Sequence, residues 1–131
     1  METTGDQINR KVNVPEIGNN FISYYFQNLK NNIQVLYDSN TIRNHTRFKY
    51  QNKEFKGLEL RQLLEQMKTQ INFFLEDKII MDSGARRADI LIIGYIIPEN
   101  ETNKKLRFSQ YFTIANNKDN WFIHNSLISI L

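Results

Sequence analysis

Residues 88–97 read Ala-Asp-Ile-Leu-Ile-Ile-Gly-Tyr-Ile-Ile, and residues 121–131 read Trp-Phe-Ile-His-Asn-Ser-Leu-Ile-Ser-Ile-Leu. A sheet with one wet face alternates apolar and polar residues, because successive side chains point to opposite sides. Here Ile90, Ile92 and Ile96 alternate with Leu91, Ile93, Tyr95 and Ile97, so both faces of this strand are apolar. The last run repeats the pattern, with Trp121, Ile123 and Leu127 opposite Phe122, Ile128 and Ile130. Two faces need two covers. Helices supply one, and a second copy of the sheet is the expected other, since an uncovered apolar face invites aggregation.

Two further strand-like runs, Ile71 to Asp82 and Lys104 to Ala115, complete a set of four. The separators Ser83-Gly84, Pro98 to Asn103 and Asn116 to Asn120 are short enough only for antiparallel neighbours. Ahead of them lies helical periodicity. Ile17, Phe21, Tyr24, Tyr25 and Leu29 follow Pro15 at helical spacing, Ile33, Leu36 and Tyr37 make a second short helix, and Leu60, Leu63, Leu64 and Met67 follow Gly57. Thr41 to Tyr50 alternates and reads as a strand, with Gln51 to Phe55 as a turn and a short strand. Helices first and a meander last is an α+β layout with the helices on one sheet face.

The 131 residues suffice for one core. A composition of 40% hydrophobic and 24% charged residues excludes a disordered chain or a coiled coil. The longest apolar run, Ile90 to Ile97, is far below the roughly 20 residues of a membrane span, so no membrane contact is expected. Met1 to Val14 has no apolar signal region and reads as a flexible leader, residues 1–14, ahead of a domain at 15–131. The absence of cysteine excludes disulfides, thiolate metal sites and a Cys nucleophile. His45 and His124 have no partners at metal-ligand spacing, so neither a metal nor another cofactor is expected. The net charge of +3 favours an anionic partner only weakly. Gly84-Ala85-Arg86-Arg87 offers a compact donor cluster but lacks interleaved aromatics, so direct nucleic-acid binding by this chain is not expected.

Five motifs in register carry a family likeness. Glu16-Ile17-Gly18-Asn19-Asn20-Phe21-Ile22-Ser23-Tyr24-Tyr25, Leu36-Tyr37, Phe55-Lys56-Gly57, Phe108-Ser109-Gln110-Tyr111-Phe112 and Trp121-Phe122-Ile123-His124-Asn125 resemble the nuclear transport factor 2 family. The resemblance implies a bent antiparallel sheet wrapped on three helices as a cone. It implies dimerisation, as a homodimer or with a related larger domain, through the outer sheet face, here at Tyr95, Tyr111, His124 and Ile128. In the family's transport branch an exposed aromatic takes Phe-Gly nucleoporin repeats, a role the resemblance gives to Tyr50, with Gln51 and Phe48 beside it. The same branch binds Ran through carboxylates. Gln51 stands where a Glu is expected, and the loop ahead of Phe108 carries Lys104, Lys105 and Arg107 with Glu101 as its one acid, so Ran is disfavoured and this patch is expected to dock another partner.

A basic pair there is more similar to two sister branches, the small subunit of the messenger-RNA export receptor and the stress-granule Ras-GAP-binding or deubiquitinase-cofactor proteins, whose grooves take short Phe-containing peptides. The expectation is a non-enzymatic transport module of the nucleus, nuclear pore and cytoplasm, with the peptide-binding dimer as its alternative. The fold also hosts isomerases and dehydratases. That chemistry needs a carboxylate base in an apolar cavity beside a phenol or a protonated acid, and Tyr24 or Tyr25 with Asp38 and Asp89 are the candidate set.

Overall fold

Asn13 opens the first helix: its side-chain oxygen accepts the Glu16 amide at 3.1 Å, and Pro15 lies in the first turn, where its missing N–H costs nothing. The computed structural model describes residues 13–118 and 120–131. The expected leader therefore falls outside the described residues except at Asn13 and Val14, which belong to the helix cap and first turn instead. The elements are α1 (Val14–Asn31), α2 (Ile33–Asp38), β1 (Arg47–Tyr50), β2 (Lys53–Phe55), α3 (Gly57–Gln70), β3 (Ile71–Gly84), β4 (Arg87–Pro98), β5 (Leu106–Asn117) and β6 (Asn120–Ile130).

The six strands form one sheet in the order β2-β1-β6-β5-β4-β3. The meander from β3 to β6 is antiparallel throughout, as its short separators require. β1 then joins β6 in parallel, pairing Phe48 with Ser126 and Tyr50 with Ile128. The strand expected from Thr41 is shorter than the alternation implies. Thr46 donates its hydroxyl to Ile123 O at 2.6 Å and accepts the Arg43 amide at 2.9 Å, so the residues before it close a turn.

The sheet bends where β3 gains a residue. Its register to β4 shifts between Leu75 and Asp77, leaving Glu76 outside the β3–β4 ladder, and a Cβ added to Gly94 across the pair would sit 2.1 Å from Phe74 O. A second shift, between Thr113 and Ile114 against Asn125 and Ile123, leaves His124 as the extra residue of β6. The bulge puts Ile123, Ser126 and Ile128 all on the inner face.

The three helices lie on that inner face. Phe21 and Tyr25 of α1 meet the Phe112 ring edge-on at 5.2 and 5.1 Å, while Leu60, Leu63, Leu64 and Met67 bury the matching stripe of α3. Ile90, Ile92, Phe108 and Phe112 fill the concave side of the sheet, each worth about 1.5–3 kcal/mol of burial. Among the described residues no helix is long and apolar enough to cross a membrane.

Candidate functional site: an aromatic groove and an apolar outer face

The stripe of α1 that enters the core leaves its flank at the surface. Ile17 and Tyr24 lie on that flank, with Phe21 between them as the floor. Trp121, at the start of β6, closes the opposite wall. Asn20, Ser39, Thr41 and Asn120 supply an uncharged polar rim, in which Ser39 and Thr41 share a hydroxyl contact of 2.9 Å. The result is an open groove of about 430 Å³ between α1 and β6. An apolar floor with neutral polar groups at its edge suits an aromatic side chain on an extended peptide.

A second surface lies on the outer side of the sheet. Cross-strand register lines up Ile79, Leu91, Tyr111 and Leu127 in one row from β3 to β6, and Lys49 of β1 ends it. Beside this row Phe74 stacks on Tyr95 with ring centroids 5.0 Å apart, and the Lys105 ammonium lies 3.9 Å over the Tyr95 ring. Ile79 and Met81 stay 50% and 53% exposed, and Leu127 45%, which is a large apolar area for strands of one face.

Of the residues expected to bind Phe repeats, Phe48 alone is out of a peptide's reach. Phe48 is fully buried, because β1 turns it inward beside Ser126, and it offers no surface to a peptide. Tyr50 is half-buried and packs on the core, while Gln51 is exposed in the β1–β2 turn at φ 53°. Ile128 was expected outward, at a pairing face, but is only 2% exposed. The His124 bulge shifts the alternation by one, so Leu127 takes the outward place. Tyr95 and Tyr111 do face outward, and His124 is exposed at the far corner of the same face. In the basic patch, Lys104 and Lys105 precede β5. Lys104 pairs with Glu101 at 3.6 Å, and Arg107 pairs with Glu76 at the β3 bulge.

The set for isomerase chemistry does not converge. Tyr25 is buried beside Gln110, and burial pushes its hydroxyl well above the usual phenol range. Asp38 is exposed at the end of α2, and Tyr24 lines the outer groove. Asp89 lies on the outer face, where Ser83 Oγ and Thr113 Oγ1 donate to it at 2.5 and 3.2 Å. No described carboxylate is buried, and no group of three or more His, Asp or Glu side chains among the described residues is placed to hold a metal. The groove itself was missed by the sequence reading. Its signal was present in Ile17 and Tyr24, which extend the α1 stripe beyond what one core contact needs.

No family model and no curated protein matches the chain. Solved structures do. Nuclear transport factor 2 from Cryptosporidium parvum superposes with a TM-score of 0.76 at 17% identity, covering 90% of this chain and 94% of that one. The yeast UBP3-associated protein Bre5 gives 0.74 at 15% identity, covering 92% and 98%. The chain has the nuclear transport factor 2-like fold. A protein assigned to the ketosteroid isomerases, from Shewanella frigidimarina, gives 0.69 at 14% identity, covering 84% and 92%. The nuclear transport factor 2-like fold therefore spans binding proteins and enzymes, and function must come from the surfaces.

Proposed function

We propose that this chain is a non-enzymatic binding module that pairs through its outer sheet face and takes a short Phe-containing peptide in the groove between α1 and β6. The observation that carries the reading is the groove, where Ile17, Phe21, Tyr24 and Trp121 converge on one apolar floor with no charged residue among its described lining. A Phe ring buried there repays little beyond its own ordering cost, so binding is weak and fast, as suits repeated Phe-Gly segments. The inner face of the cone supports a binding role too: aromatic and aliphatic side chains fill it, and it holds no described carboxylate.

Within this reading the chain serves nucleocytoplasmic transport, at the nuclear pore and on both sides of it, and a Phe-Gly nucleoporin is its peptide partner. The support is the likeness in fold to a transport factor, and Bre5 appears in the solved complex of "yeast Deubiquitinase Ubp3 and Bre5 cofactor", which favours partner binding as the general mode. The outer row from Ile79 to Leu127 supports pairing with a second sheet.

Trp121 is the one tryptophan of the chain and lies in the groove, so its fluorescence reports occupancy directly. Titration with a Phe-Gly repeat peptide shifts that emission in a saturable way, a Phe-to-Ala version of the peptide does not, and Tyr24→Ala weakens the response. Unchanged emission at millimolar peptide, or full binding by the Phe-to-Ala version, rejects the site.

A further inference from the structure

From Arg43 to Lys49 every second residue carries a cation or an imidazole: Arg43, His45, Arg47 and Lys49, with Thr46 and Phe48 buried between them. The fold gathers these side chains at one corner of the outer face. The Arg43 guanidinium carbon lies over the Phe122 ring, 3.9 Å from its centroid, and the Arg43 Nε donates to Asn40 O at 3.1 Å. His45 meets the edge of the same ring at 5.4 Å, and the His124 bulge brings a second imidazole to 6.2 Å from His45. Arg47 and Lys49 extend the corner along β1, opposite Asn125 and Leu127. Among the described ion pairs the corner has one, Arg47 with Glu54 at 3.7 Å. An open hollow of about 620 Å³, lined by Tyr37, Asn40, Ile42, Arg43, Asn44 and His45, lies beside it.

We propose that this corner binds single-stranded nucleic acid. Lys49 and Arg47 take successive phosphates, since alternate side chains of a strand stand about 6.6 Å apart on one face. Arg43, backed by Phe122, presents the free plane of its guanidinium to a base, and His45 and the Asn40 and Asn44 amides line the hollow that receives it. A single phosphorylated side chain needs one donor pocket, whereas this corner spreads its cations along a line and places a stacking plane at one end. The Gly84–Arg87 cluster lacks that pairing of cation with aromatic; here the chain fold supplies it by setting β6 beside the turn before β1. The exposed apolar residues Phe74, Ile79 and Met81 lie on β3, at the sheet edge away from β1, so a second copy centred there leaves β1 at the margin. The proposal goes beyond the peptide groove and stands independently of it.

The test is fluorescence anisotropy of labelled oligouridine and oligothymidine with the full chain, the two probes separating an RNA from a DNA preference. Binding is expected to weaken with a log–log salt slope of about −1.4, as for two phosphate contacts on a single strand. The pair Arg43→Ala/Lys49→Ala is expected to lose affinity about tenfold or more, while the charge-matched pair Lys104→Ala/Lys105→Ala stays near the parent value. Lys49→Glu alone, on an exposed strand position, gives the same loss if the Arg43 change disturbs folding by circular dichroism. Absence of binding to either oligonucleotide, equal loss in the Lys104/Lys105 pair, or binding of a phosphoserine peptide with none of the oligonucleotides overturns the proposal.

Discussion

Asp89 carries a carboxylate on a largely apolar face, and its neighbours decide its charge. Burial pushes the group up, but hydrogen bonds from Ser83, Tyr111 and Thr113 and the nearby Arg87 charge outweigh it and hold the carboxyl below its ordinary value. A folded-state value below the unfolded one adds stability above about pH 4, and that stability is lost as pH falls through the folded value. Asp89→Asn is therefore expected to lower the urea midpoint at pH 7 and to lower it by a smaller margin at pH 3. An equal deficit at both would refute the assignment. Phe48 acts through packing: Phe48→Ala is expected to cost about 3–5 kcal/mol in urea unfolding, a size out of reach for an exposed peptide contact. The residue types at Phe48 and Ile128 announced burial or contact plainly. Their faces were hidden, since one bulge residue at His124 inverts the alternation of everything after it.

At the scale of elements, the helices were legible because a stripe repeating every three to four residues survives almost any context, and α1, α2 and α3 stand where Phe21, Leu36 and Leu64 put them. The four long strands were legible for the same reason, through their separators. β1 was overdrawn, because the Thr46 hydroxyl claims Ile123 O, a partner 77 residues away that alternation cannot reveal. The bend at Gly94 has its own test. A methyl group there meets the Phe74 carbonyl, so Gly94→Ala is expected to destabilise the fold by more than about 2 kcal/mol and to lower the melting temperature strongly, and retention of the parent melt would show that β3 can withdraw. Asn13→Ala removes one cap from α1 and is expected to cost about 1 kcal/mol in the same assay.

The whole molecule has two apolar sides and one set of helices. That imbalance was readable in residues 88–97, whose outward members Leu91, Ile93 and Tyr95 serve no core contact within the chain. In the proposed pairing, Leu91→Glu puts a charge at the centre of the row and is expected to give folded monomers by analytical ultracentrifugation, where the parent sediments at twice the chain mass. A parent of single-chain mass would remove the pairing. Ile128→Glu differs in kind: it charges the interior, so loss of folding and not clean monomers is the outcome. The groove was illegible at this scale because it joins Tyr24 to Trp121, two residues that meet only when β6 has closed against the helices.

The parallel seam between β1 and β6 also fixes a timetable. While the ribosome is still making the C-terminal third, Phe48 has no Ser126 beside it and Thr46 no Ile123 carbonyl to reach. A chain cut short before residue 120 is therefore expected to leave Phe48 uncovered, which binding of a dye specific for apolar surface would detect.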